Sequence, residues 1–317
     1  MKRLLCRGLL AFVLIFLLLT AGGSVYMLRY ALEPETERTD TARCFRRFIE
    51  RHPEAQPWLD SLKACHALRD TFATMPSGER HHAYLIPSRY SEAPVCIVLH
   101  GWRGCAIDFL DYARLFHREL GCHVLLPDLH AHGLSEGKTI GMGWQERHDV
   151  VHWMQIAAER FGARRFVVHG VSMGAATAMN VSAEPMPEGV EDVRFVEDCG
   201  YTSVWDEFSH EMKARFGLPP FPILHASSML CQLLYGWNFS EASSLRQVAE
   251  GRWPMLFIHG DSDDFVPSPM VHPLFQAKPE PKSLWVTAGT HHACSLADYP
   301  DDYLSHLRHF IPRSWLP

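Results

Sequence analysis

The stretch Gly170-Val171-Ser172-Met173-Gly174 sets a hydroxyl between two glycines, after the apolar run Arg165 to His169 and before a segment rich in alanine and methionine. A nucleophile at a sharp strand-to-helix turn needs strained backbone geometry. Glycines two residues to either side remove the Cβ atoms that would collide as strand and helix approach. Ser172 is therefore expected to project from the carboxyl end of a sheet, and the backbone N–H of Met173 to face the same space from a helix N-terminus, whose dipole favours an anion. A second apolar run, Val95 to Leu99, feeds the glycine-bracketed turn His100-Gly101-Trp102-Arg103-Gly104. The N–H of Trp102 is the expected partner donor there. A tetrahedral intermediate would then meet two fixed donors, and losing one such donor typically costs about 10²- to 10³-fold in rate. The chemistry implied is acyl transfer to a serine, which attacks well only if a base takes its proton during the reaction.

Such a turn needs a sheet to carry it. From about residue 80 onward, short β-rich runs alternate with longer segments of helical spacing, the signal of an α/β fold with a largely parallel sheet. The predicted strands are 84–86, 95–99, 123–126, 166–169, 194–197, 255–259 and 284–287, and the predicted helices are 107–120, 144–161, 173–182 and 300–310. Residues 36–76 read as amphipathic helices ahead of the sheet. Residues 201–252 carry Trp205, Phe208, Phe216, Phe221, Trp237 and Phe239 among prolines. They read as a helical cap insertion whose aromatics either roof a pocket or fill the insertion's own core.

These motifs resemble the α/β-hydrolase fold family, and within it the esterase, serine aminopeptidase-like and prolyl oligopeptidase-like branch. The resemblance rests on Leu99 to Gly104, Asp128 to Ser135, Gly170 to Gly174, Ile258 to Pro267 and Gly289 to Ser295, in the family's order across about residues 80–312. It implies a mostly parallel central sheet flanked by helices, with nucleophile, acid and histidine in that chain order. In the family's pattern His-Gly-x-x-Asp-x-x-Val-Pro the acid falls on Asp263, leaving Asp261 and Asp264 to turn chemistry. Asp128, at another strand end, is the alternative acid. Family members carry Ala or Gly directly after the histidine and Ser three residues after it, which assigns His292 and leaves His291 as an exposed loop residue. His130 stands where the family usually has arginine. The resemblance implies a serine hydrolase that cleaves a carboxylic ester through an acyl-enzyme, with peptide hydrolysis or acyl transfer as alternatives and a non-catalytic binding protein as the remaining class. A free amine would need an acidic holder. Asp206, Glu207 and Glu211 are the candidates in the insertion.

Twenty histidines require a check for metal chemistry. His81-His82, His130-Ala131-His132 and His291-His292 are the close clusters, and none has the His-Glu-x-x-His spacing of a zinc hydrolase. No metal and no other cofactor is expected. With 30 Lys plus Arg against 36 Asp plus Glu, a formal charge of -6, the chain has no electrostatic footprint for nucleic acid. The expected partner is a small-molecule or peptide acyl substrate.

Gly8 to Leu28 carries no charged side chain. As a helix it would reach roughly 32 Å, close to a bilayer's hydrocarbon thickness. Lys2, Arg3 and Arg7 precede it while Glu33, Glu35 and Glu37 follow, so the N-terminus is expected in the cytoplasm and the body exported. The alternative is a signal peptide cleaved near Ala21-Gly22-Gly23, giving a secreted protein. The expected organisation is a membrane segment at 1–30 outside the fold, a helical extension at 31–79 and a hydrolase domain at 80–317 with its cap at about 201–252. Of nine cysteines, Cys44 and Cys65 are candidates for a bridge, whereas Cys96 and Cys199 read as small buried residues.

Overall fold

The computed structural model describes residues 2–317, and the chain folds as two compact units. The larger unit, 34–202 with 243–317, holds a sheet of eight strands. These are β1 (Arg69–Thr74), β2 (Arg80–Ile86), β3 (Val95–Leu99), β4 (His123–Pro127), β5 (Arg165–Val171), β6 (Asp192–Asp198), β7 (Met255–Gly260) and β8 (Lys282–Thr287). Their order in the sheet is β1-β2-β4-β3-β5-β6-β7-β8. β1 with β2 and β2 with β4 are antiparallel, and all other pairs are parallel. Strands β3, β4 and β7 are buried along their whole length, as expected when helices cover both faces of a parallel sheet. All seven predicted strands are present, most extended by one to four residues. The eighth, β1, lies inside the segment expected to be helical. Only Thr71 of its six residues is buried, and an edge strand with one inward side chain leaves almost no alternation to detect. Helix α1 (Lys2–Leu32) covers the expected membrane segment, and the helices found in the segment expected to be helical are α2 (Thr41–Arg51) and α3 (Gln56–Ala64).

The single helix expected over 107–120 is broken into a 3₁₀ turn (Ala106–Phe109), α4 (Leu110–Arg114) and a π turn (Leu115–Glu119). Asp108 explains the tight start: its carboxylate accepts from the N–H of Cys105 at 3.2 Å and from Arg47 Nη2 at 2.6 Å, so the first turn is pinned to α2. The remaining helices of this unit that flank the site are α5 (Glu146–Phe161) and α6 (Met173–Val181). No disulfide joins Cys44 to Cys65. Cys44 is buried, hydrogen-bonded to the thiol of Cys105, whereas Cys65 is exposed and donates to Ser61 O at 2.7 Å. Cys96 and Cys199 are buried.

The smaller unit joins 1–33 to 203–242. It contains α1, α7 (Val204–Phe216) and α8 (Ile223–Tyr235). α9 (Ser244–Glu250), which the sequence assigned to the cap, belongs to the larger unit, where it packs on α6 and α10 (Val271–Ala277). Within the smaller unit Phe208, Trp237 and Phe239 are buried, with Phe208 and Phe239 meeting edge to face at 4.9 Å. These aromatics fill the insertion's own core. Phe221 is exposed.

The expectation that residues 1–30 stand outside the fold needs correction. α1 runs unbroken to Leu32, exposing its apolar side chains from Leu4 to Leu19. Its last turns pack on α8 along a face of small and apolar residues. Ser24 is buried, its hydroxyl within 3.3 Å of Ile223 O, and Ser227 Oγ reaches back to Ser24 O at 3.5 Å. Tyr26 and Tyr30 set their rings edge-on to Phe216 at 6.3 and 5.9 Å. Hydropathy alone does not see this, because a helix that is apolar nearly all round has no distinct face to mark where it will be packed.

Candidate active site

Ser172 stands between the end of β5 and the first turn of α6 with φ 59° and ψ -120°, a left-handed conformation that is costly for a side-chain-bearing residue. Neighbouring backbone holds it there. Its N–H donates to Asp198 O, at the end of β6, at 2.8 Å. The flanking glycines are required by contact: a Cβ on Gly170 would lie 2.0 Å from Gly174 O, and one on Gly174 would lie 2.1 Å from Leu99 O. Strand β3, strand β5 and helix α6 thus approach so closely that only hydrogen fits at both positions.

His292 Nε2 lies 2.9 Å from Ser172 Oγ, and His292 Nδ1 lies 2.7 Å from Asp263 Oδ2. The three side chains come from the ends of β5, β7 and β8, at the carboxyl edge of the sheet. Asp263 is buried and its other oxygen, Oδ1, accepts from the N–H groups of Phe265 and Val266 at 3.0 and 2.9 Å. Burial alone would raise its pKa. Hydrogen bonds from His259 and His292 outweigh that and hold it at about 2. The carboxylate is therefore charged and fixed. His292 is one-fifth exposed, so the imidazole that bridges the two buried groups is also reachable by solvent.

The turn expected to supply oxyanion donors sits beside the serine. A Cβ on Gly101 would stand 3.4 Å from Ser172 Cβ, which brings the loop carrying Trp102 against the hydroxyl, while Met173 begins α6 directly after it. The residues set aside by sequence have other occupations. Asp261 Oδ1 accepts from Gly289 N at 2.6 Å and closes a turn, and Asp264 and His291 are exposed. Asp128 binds His82 Nδ1 at 2.7 Å and the N–H groups of Ala106 and Leu134 at 2.8 and 2.9 Å, pinning loops on the antiparallel side of the sheet. In the smaller unit Asp206 accepts from the hydroxyl of Ser203 at the start of α7, Glu211 pairs with Arg215, and Glu207 is buried.

Sequence reading missed a second layer. His259 Nε2 lies 3.4 Å from Asp263 Oδ2 and 3.0 Å from Val266 O, giving that carboxylate a second imidazole neighbour besides His292. Behind the serine, Asp198 Oδ2 accepts from Tyr303 Oη at 2.9 Å, and Tyr303 Oη is 2.7 Å from His169 Nε2. Burial raises Asp198 to about 6. Its position at the end of β6 was the available signal, but the predicted strand stopped one residue short of it. Cys199, Asp263 and His292 also bring three ligand-type atoms together. Burial pushes the Cys199 thiol up, so it stays protonated and is a poor ligand in that state.

No family model matches the chain. It is 28% identical over 255 residues to the uncharacterized protein YqkD of Bacillus subtilis, covering 76% of this chain and 82% of the relative. It is 25% identical over 242 residues to the uncharacterized protein Rv2307c of Mycobacterium tuberculosis, covering 76% and 78%. Among solved structures it resembles the esterase Pf2001 of Pyrococcus furiosus, with TM-score 0.63 and 21% identity over 79% of this chain and 93% of that one. Est1E of Butyrivibrio proteoclasticus, solved with ferulic acid, superposes with TM-score 0.59 and 17% identity over 77% and 100%. A puromycin hydrolase superposes with TM-score 0.59 and 18% identity over 77% of this chain and 39% of its own.

Proposed function

The chain has the α/β-hydrolase fold, and on that premise we propose that it is a serine hydrolase that cleaves a carboxylic ester through an acyl-enzyme. The observation that carries this reading is the continuous chain of contacts from Ser172 Oγ through His292 to Asp263. His292 takes the hydroxyl proton as Ser172 attacks the carbonyl carbon, Asp263 stabilises the imidazolium, and the same proton passes to the leaving alcohol. Water then repeats the sequence and releases the acid. The N–H groups of Trp102 and Met173 receive the charge that develops on the carbonyl oxygen. Esters are favoured over amides because esterases recur among the structural neighbours, and Asp206 and Glu211 are engaged in local pairs rather than available to hold an amine.

The test is hydrolysis of short-chain activated esters by the purified chain. Ser172→Ala should abolish turnover with the fold intact, and a serine-directed phosphonate probe should label Ser172 alone. A mutant with wild-type rates would refute the assignment. Amino-acid arylamides cleaved faster than esters would favour the peptidase reading, whose support is the puromycin hydrolase among the neighbours. An added alcohol that competes with water would indicate acyl transfer.

For location we infer a single-pass anchor with its N-terminus in the cytoplasm and the hydrolase unit exported. Lys2, Arg3 and Arg7 precede the apolar run. The helix also continues past the Ala21-Gly22-Gly23 zone to dock on α8 through Ser24, with Leu28 and Leu32 buried further along, an unbroken helix that cleavage in that zone would sever. Carbonate-resistant membrane association with an intact N-terminus is the expected result. A soluble exported form beginning near residue 24 would establish the cleaved alternative.

A further inference from the structure

On the antiparallel side of the sheet, two ligand-type side chains close in sequence meet a third from a distant turn. Glu79 precedes β2, His81 is in β2, and His130 lies in the turn after β4, the strand that pairs with β2. Glu79 Oε2 is 3.1 Å from His130 Nδ1 and 3.9 Å from His81 Nε2, and the ligand atoms of all three lie within 4.8 Å of one another. His81 is fully buried, yet neither of its ring nitrogens has a hydrogen-bond partner. Buried polar atoms are nearly always paired, so a buried imidazole with carboxylates near both nitrogens but a hydrogen bond at neither calls for a ligand. Its Nδ1 lies 3.5 Å from Asp149 Oδ2, on α5, without a hydrogen bond, close enough that a small approach lets this carboxylate orient a metal-bound histidine from behind.

We propose that Glu79, His81 and His130 bind one divalent cation of the zinc class, with Asp149 positioning His81. Two imidazoles and a carboxylate suit zinc and its neighbours rather than calcium or magnesium, which prefer all-oxygen sites. At ligand distances of about 2.0–2.1 Å, tetrahedral donors sit roughly 3.3 Å apart. Two separations, 3.1 and 3.9 Å, fall on either side of that value and the third, between the two histidines, is within 4.8 Å, so side-chain rotations that draw the three together complete the site. Glu79 and His130 remain partly exposed, which leaves the fourth position to water and gives the ion a route in. Bound there, the ion clips the start of β2 to the turn after β4. This site shares no residue with the Ser172 cluster, so it stands or falls apart from the proposed activity.

The experiment uses the full-length chain in detergent, stripped with a chelator and titrated with Zn²⁺ against a chromophoric competitor, then with Co²⁺. The expected outcome is one saturable site, a raised melting temperature, and a cobalt spectrum of four-coordinate nitrogen and oxygen ligation with no thiolate charge-transfer band. Glu79→Gln and His130→Asn, both at partly exposed positions where the fold should tolerate them, should each weaken binding by about tenfold or more. His292→Ala should leave affinity unchanged, which separates this site from the Cys199, Asp263 and His292 grouping. Absence of saturable binding, affinity indifferent to Glu79→Gln and His130→Asn, or a thiolate band would overturn the proposal. The last result would mean that the ion sits on one of the free cysteines.

Discussion

Replacing Asp263 by asparagine keeps the shape of the side chain while removing its charge. In the native site Oδ1 is committed to the N–H groups of Phe265 and Val266, and Oδ2 faces His292 Nδ1 at 2.7 Å. An asparagine at 263 would keep its carbonyl on those two backbone donors. Its amide NH₂ would then point at His292 Nδ1, which could answer only with its lone pair. The imidazole proton would move to Nε2, the atom 2.9 Å from Ser172 Oγ that accepts the hydroxyl proton in the proposed mechanism. The base would be in the wrong tautomer, and the imidazolium would lose its counter-charge. The equivalent change in a serine protease triad lowers kcat by about 10⁴, or about 5 kcal/mol of barrier. The expected result here is a loss of about 10³- to 10⁴-fold in kcat for an activated ester, with KM nearly unchanged and the phosphonate probe slowed in parallel. Asp198→Asn is the control. Its carboxylate contacts Tyr303 rather than His292 and should cost much less. If Asp263→Asn retained more than a tenth of wild-type turnover while Asp198→Asn or Asp128→Asn abolished it, the tautomer argument would be wrong and another carboxylate would be the acid.

Other expectations are simpler to state. Gly174→Ala places a methyl 2.1 Å from Leu99 O, so calorimetry should show a destabilisation of at least about 1–3 kcal/mol; an unchanged melting temperature would mean that β3 and α6 separate easily. Burial raises Glu197 from 4.5 to about 8, against the pull of His259 and the Gly200 N–H. Between those values the folded chain holds a proton that the unfolded chain has released, so this group's contribution to stability falls as pH rises from about 4.5 to 8 and then levels off. Glu197→Gln should flatten the melting temperature across that window, and an unaltered slope would show that Glu197 is not the source.

The parts of this protein legible in the sequence are those governed by local rules. Alternation of short apolar runs with helical spacing located seven of the eight strands, most clearly β3, β4 and β7, where burial on both faces writes a continuous apolar signature. The glycines at 170 and 174 announced a close approach that the structure shows as Cβ positions 2.0 and 2.1 Å from backbone oxygens. Asp263 and His292 were named only through motifs that resemble a family, since nothing local distinguishes one strand-end aspartate or loop histidine from its neighbours. Tertiary structure alone decided what depends on distant segments meeting. β1 is a strand because β2 pairs with it, although its own residues barely favour it. Ser24 is buried because α8 lies against α1, whereas hydropathy marks the whole helix as uniform. His81 and His130 are 49 positions apart and looked like unremarkable pairs with their sequence neighbours; the antiparallel pairing of β2 with β4 brought them together with Glu79. Sequence encodes the periodicity of each element directly, but a site assembled across elements exists only once the register between strands is set.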